Sequence, residues 1–463
     1  MRSINPSNIF SYANMCNDGF CKISDESKFI NSINTFHPAG HGTFFTGILD
    51  IGDGKSSCRF SWVYDCGSRR KNLIERNENT LKDFLNQKID MICLSHFDSD
   101  HINGLETLIQ KSKFKIRNLV LPYLPFSQRL ETVFKTKSID VLSFALDPLG
   151  HLKAKRLLHK VDRILLIQGS DTPTSNPTSV ENPPLGSGKN KIFKIFPKGK
   201  QADINDYSPL IGEKININRK KQKEISGNKI KNLGSKWEFV FFNLPLESKN
   251  LHPRASISNI HAHVKQILNS SKKDKDKIEQ LKRCYCEHFG NSNKNRNDIS
   301  LCVLSRPLDS HNLHHSMVCF SAPDQAANNQ SNYYTKETKI GILLTGDISI
   351  DKATINLMKS HFGTTRWNDI GVMQIPHHGS VNSWKIGNHE ISQHQYSVLC
   401  VPDKGTHHPH DNVLSDLERT TVVRADYSNS VVYKVCSCPI NINYLEKITA
   451  NIQSQIKLGL SDI

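Results

Sequence analysis

Cys93-Leu94-Ser95-His96-Phe97-Asp98-Ser99-Asp100-His101-Ile102-Asn103-Gly104-Leu105 sets four metal-binding side chains within six residues, directly behind a short apolar run. The run Ile89-Asp90-Met91-Ile92-Cys93-Leu94 reads as a buried strand, and Leu105, Leu108 and Ile109 recur at helical spacing. The cluster therefore falls on a strand-to-helix loop, where side chains converge on one cavity. Imidazoles and carboxylates at that density repel one another or lose solvation unless cations neutralise them, and two divalent ions meet that demand. The plainer alternative is a solvated polar loop whose Asp and Asn residues cap a helix.

Segments further along weigh against that alternative. The stretch resembles the main metal motif of the metallo-β-lactamase fold, His-x-His-x-Asp-His, with Asp98 standing where the second His normally is. This variant is similar to the nuclease domain of bacterial competence DNA-uptake channels and their soluble relatives. Other segments follow in the same order. Phe60 to Tyr64 alternates as a strand and ends in Asp65-Cys66-Gly67-Ser68, like the family's early strand, whose terminal Asp orients the metal loop from behind. Asn297-Asp298-Ile299-Ser300-Leu301-Cys302-Val303-Leu304, followed by Gly341-Ile342-Leu343-Leu344-Thr345-Gly346-Asp347, is similar to the pair of strands that delivers the family's bridging aspartate. Val372-Met373-Gln374-Ile375-Pro376-His377-His378-Gly379-Ser380 resembles its strand-end His-His-Gly-Ser, and His408-Pro409-His410 its late His-Pro segment. The likeness spans residues 36 to 170 and 296 to 440.

The resemblance implies an α/β protein, an αββα metallo-β-lactamase sandwich with two divalent ions at one sheet edge. His96 and Asp98 are expected on one ion and Asp100 and His101 on the other, with Asp347 bridging and His377 completing the second. Side chains alternate along a strand, so adjacent His378 is expected as a substrate contact or proton donor, with Ser380 beside it as a substrate contact. Asp100, His378 and His408 are the expected catalytic residues, His408 giving a proton to the leaving oxygen. Three carboxylates against three imidazoles make a hard, oxygen-rich site, which sets manganese beside zinc. The family's further metal-binding His has no counterpart in its usual context, although His252, His261, His263, His288, His311, His314 and His315 fall in that interval.

With 463 residues and 37% hydrophobic content the chain can build one large or two ordinary domains. Residues 1 to 15 hold no apolar stretch long enough for a signal peptide, and nowhere do eighteen apolar residues run together. Cytoplasm without membrane insertion is the expectation. Cys284-Tyr285-Cys286 and Cys436-Ser437-Cys438 lack the two-to-four-residue gap of common zinc motifs and read as reduced thiols.

The formal charge of +16 is concentrated, since residues 171 to 300 hold 24 Lys and Arg against 13 Asp and Glu. His101 and Asp347 lie 246 positions apart, a wider gap than the resembled branch has. Residues 1–170 and 296–440 are therefore expected as two parts of one domain, 171–295 as a basic insertion and 441–463 as a tail. The insertion opens with an exposed Pro/Ser-rich linker over 171 to 190. Within it, 192–196 and 237–242 read as strands and 257–288 as one or two helices. Lys272, Lys273, Lys275 and Lys277 belong to a face that is ordinarily just solvated. Beside a site that cuts phosphodiesters, they are expected to contact substrate phosphates.

These features point to a metal-dependent nuclease, with DNA as its expected substrate. A hydrolase of a small ester, lactone or nucleotide messenger is the alternative, because fold alone does not fix substrate. A nucleic-acid-binding or regulatory subunit with a degenerate site is a third reading, and clustered carboxylates speak against it. An antiviral defence role with a partner protein, such as a protease or a sensor, is a further expectation.

Overall fold

Strands rich in Val, Ile, Phe and Trp build the molecule, and most of their side chains are withdrawn from water on both faces. The computed structural model describes residues 29–52, 57–70, 72–167, 193–197, 237–244, 257–290, 300–307, 313–322, 339–388, 393–402 and 408–439. The strands are β1 (Phe29–Phe36), β2 (Phe44–Gly52), β3 (Ser57–Cys66), β4 (Met91–Cys93), β5 (Leu119–Pro122), β6 (Ile164–Ile167), β7 (Phe193–Pro197) and β8 (Trp237–Phe242). They continue with β9 (Cys302–Pro307), β10 (Leu313–Ala322), β11 (Gly341–Leu344), β12 (Ile370–Gln374), β13 (Tyr396–Cys400), β14 (Thr421–Ala425) and β15 (Ser430–Pro439). Among the described residues they form one sheet of eight, in the order β10-β15-β1-β2-β3-β4-β5-β6, and one of seven, β14-β13-β12-β11-β9-β8-β7.

Both sheets are mixed. β3, β4, β5 and β6 run parallel, as do β11, β12, β13 and β14, while β1, β2, β10 and β15 pair antiparallel. The inner faces meet in one apolar cluster that includes Phe60, Trp62 and Met91 from the first sheet and Phe239, Val303 and Val372 from the second. Trp62 and Phe239 touch with ring centroids 5.1 Å apart, and Tyr64 donates across the interface to Leu301 O at 2.9 Å. Helices cover both outer faces. Those at Glu78–Leu85, Leu105–Lys111 and Ile139–Leu146 lie over the first sheet, and Lys352–Phe362 over the second. The layers are thus helix, sheet, sheet, helix.

The stretch from 171 to 295 is woven into this architecture wherever it is described. β7 and β8 extend the second sheet, and buried Glu238 on β8 is gripped by Arg366 at 2.8 Å and 3.2 Å. The helices Ile257–Asn269 and Asp274–Phe289 form a hairpin. Its apolar side, with Ile260, Val264, Leu281 and Tyr285, packs on Phe126, Leu130 and Leu142. Sequence pattern alone misses this because the connecting segments are long and polar. The 171 to 190 linker and the 441 to 463 tail lie outside the described residues. No helix among the described residues is long and apolar enough to cross a membrane.

Candidate metal centre

The expected strand-to-helix loop is present. β4 ends at Cys93, and the turn leads through Ser95, His96 and Asp98 into the short helix Ser99–Ile102 and then Leu105–Lys111. Asp65 anchors it from behind. This residue breaks the extended run of β3 with φ 52°, and its carboxylate is fully buried. Oδ1 accepts from Ser95 N at 2.7 Å, while Oδ2 accepts from Ser95 Oγ at 2.6 Å and bonds His101 Nδ1 at 2.7 Å. That bond places a His101 proton on Nδ1 and turns Nε2 to the site. Gly67 lets the chain approach, since a Cβ there would stand 2.3 Å from Asp100 C and His101 N.

Asp347 follows β11 from the other sheet. Its backbone N donates to Ser300 Oγ at 3.0 Å, and Gly346 takes φ 59° against Ser95. The Asp347 carboxylate then faces three imidazoles: His101 Nε2 at 3.2 Å, His96 Nε2 at 3.8 Å and His377 Nε2 at 3.8 Å. Asp98 Oδ2 lies 3.7 Å from His96 Nε2. Burial pushes both carboxyls up, and the imidazoles outweigh it, holding Asp98 down to about 2 and Asp347 well below the carboxylate range. His101 is raised well above its ordinary value because Asp347 and Asp65 overcome the burial that lowers it.

The His-His-Gly-Ser segment departs from the strand geometry on which its reading rested. His377 (φ 48°) and His378 (φ 59°) are both left-handed, a conformation that costs non-glycine residues free energy and concentrates at functional sites. The alternation argument therefore does not apply, and both rings reach the cluster. His378 Nδ1 bonds Cys400 O at 2.6 Å and its Nε2 lies 3.9 Å from Asp100 Oδ2. His378 stands with Asp100 and His101, and His377 stands at Asp347 and is steadied by Ser383 Oγ at 3.0 Å.

His408 does reach the site, with its ring centroid 5.8 Å from that of His377. Burial and the neighbouring imidazoles of His377 and His378 lower it to about 4. At neutral pH it is uncharged, the form in which an imidazole can accept a proton.

Several participants carry no recognisable motif. His41 sits with its ring 4.7 Å from His378 and 6.0 Å from His408, and burial, His378 and Arg69 lower it to about 3. Ser95 and Ser300 bond His96 Nδ1 at 2.9 Å and 3.3 Å. Arg69 and Lys135 bring cations to the rim, 3.6 Å from Asp100 Oδ2 and 3.8 Å from Asp98 Oδ2. The signal that could have found His41 is the close-packed Gly40-His41-Gly42 turn, because a Cβ on Gly42 would collide with Asp100 O at 2.6 Å.

Two expected groups have other surroundings. Ser380 is buried and its Oγ accepts from Asn382 N at 3.3 Å, as a turn cap does. Lys272, Lys273 and Lys275 are exposed around the turn of the helical hairpin, and Lys277 Nζ donates to Leu268 O at 2.9 Å. None of the four is brought to the cluster by any described contact.

The residues fit divalent cations. Ligand atoms of His96, His101 and Asp347 lie within 4.8 Å of one another, and so do those of Asp100, His101 and His378. Nε2 of His96, His101 and His378 is buried without a hydrogen-bond partner in each case. An unsatisfied buried polar atom costs about 1–3 kcal/mol, so three turned toward one cluster call for a ligand that accepts their lone pairs. No protein-family model matches the chain, and no curated protein does.

Proposed function

We propose that this chain is a metal-dependent phosphodiester hydrolase of the metallo-β-lactamase type, acting on nucleic acid and first of all on DNA. The observation that carries the reading is the set of three buried, unpartnered imidazole nitrogens, on His96, His101 and His378, closed in by Asp98, Asp100 and Asp347. One lone pair serves one ion, which divides the set: His96 and Asp98 would hold the first and Asp100, His101 and His378 the second, with the Asp347 carboxylate between them. Zinc or manganese there would supply an acidified water and neutralise charge growing on a phosphate.

The protein's own groups do the rest. Asp65 and Ser95 fix the His101 ring, and Cys400 O fixes His378, so the nitrogens turned to the site are preorganised. His41 and His408, uncharged at neutral pH, flank the cluster where a proton must be taken up. Arg69 and Lys135 at the rim suit an anionic substrate, and the net charge of +16 favours its approach.

Purified protein with plasmid and single-stranded DNA, in manganese or zinc, tests the reading against Asp347→Ala. Cleavage by the wild type alone is the expected result. Hydrolysis of a small ester with DNA left intact, or equal cleavage by the variant, would overturn it.

A further inference from the structure

A second constellation lies in the helical hairpin, on residues for which the proposed reaction has no use. Cys284 and His288 are four positions apart on the helix Asp274–Phe289, so they share one face. His263 approaches from the antiparallel helix Ile257–Asn269, and ligand atoms of the three lie within 4.8 Å of one another. Cys286, two positions from Cys284, is turned away. Cys284 is 1% exposed, whereas Cys286 is exposed to solvent. Cys284 and Cys286 thus face different surroundings, and Cys284 alone joins the two imidazoles.

The simpler explanation is a core thiol beside two rim histidines. Cys284 does border the apolar cluster that holds the hairpin to Phe126 and Leu130. That account explains why Cys284 is buried and leaves the convergence of both imidazoles on it unexplained. Two imidazoles on separate helices have no apolar reason to meet at one sulfur. We propose that His263, Cys284 and His288 form a second metal site that pins the two helices together and takes a borderline-soft divalent ion of the zinc class. Four-residue spacing along a helix is within the range used for paired zinc ligands, and a thiolate with two imidazoles is a zinc-type donor set. The exposed position of His263 leaves the fourth coordination place to water. The two sites would sort metals by hardness: the Asp347 cluster offers only oxygen and imidazole, and the hairpin offers sulfur.

That difference makes the test independent of any activity. The full chain is titrated with cobalt(II), and the thiolate-to-cobalt charge-transfer band is followed in the near ultraviolet. One thiolate-bound cobalt per chain is expected, in the wild type and equally in Asp347→Ala and Cys286→Ser. Cys284→Ser should abolish the band, and His263→Ala and His288→Ala should each weaken binding at least tenfold. The exposed His263 keeps the test readable should the buried Cys284→Ser fail to fold, as judged by circular dichroism. Absence of the band in wild-type protein that binds cobalt, its survival in Cys284→Ser, or unchanged affinity in both histidine variants would overturn the proposal.

Discussion

The turn from Ser95 to His101 and the turn from Lys272 to Lys277 are both short and dense in charge, yet the fold treats them oppositely. The first is drawn against Asp65, Gly67 and Asp347, with His96 and His101 buried and Asp98 and Asp100 partly so. The second carries Lys272, Lys273 and Lys275 on open surface, and Lys277 ties the turn to Leu268 O. Charge density in a sequence signals chemistry only where neighbouring elements remove the water that would otherwise solvate it. In the first turn, buried imidazole nitrogens without a hydrogen-bond partner face buried carboxylates. In the second, water solvates the exposed lysines.

The sharpest way to break this contrast is to remove charge from the buried side. Asp347→Ala should lower hydrolysis by on the order of 10³-fold or more and reduce bound metal, with the melting temperature moved only a few degrees. Activity assays with elemental analysis check it, and full activity would erase the distinction. Gly67→Ala comes next. Its Cβ would stand 2.3 Å from Asp100 C and His101 N, which should cost about 2 kcal/mol or more of stability in denaturant melts and displace the ligands. Asp65→Asn keeps the shape behind the loop and removes the charge that sets the His101 ring, so metal affinity should fall about 10–100-fold with little change in fold.

The smallest effect belongs to the other turn. Neutralising Lys272, Lys273, Lys275 and Lys277 together should change stability by less than about 0.5 kcal/mol. If the turn tracks phosphates, the slope of log affinity against log salt should also flatten, by about 0.9 for each duplex phosphate that is no longer neutralised. An unchanged slope returns these lysines to ordinary solvated surface. A loss of turnover matching that of Asp347→Ala would break the contrast from its far side.

Legibility in the sequence followed how local each signal is. His96, Asp98, Asp100 and His101 sit on one turn, so their spacing alone suggests convergence, and Asp65 and Asp347 each follow an apolar run. The paired strands β9 and β11 likewise read as apolar runs, and the runs 192–196 and 237–242 mark the strands found at Phe193–Pro197 and Trp237–Phe242. What sequence concealed depends on backbone that no local pattern encodes. Both His377 and His378 reach the cluster because they are consecutive left-handed residues, and side-chain alternation assumes extended ones. His41 reaches the site because a glycine turn packs on Asp100 O, far along the chain from it. The tertiary place of the hairpin helices, against Phe126 and Leu142, could not be read from their own amphipathic pattern.

The central claim is that the buried Nε2 atoms of His96, His101 and His378 are metal ligands. Crystals grown with manganese or zinc, measured with anomalous scattering at the edge of the ion supplied, test it most directly. The account predicts one anomalous peak among His96, Asp98 and Asp347 and another among Asp100, His101 and His378. Metal-saturated crystals with no peak at this cluster would contradict it.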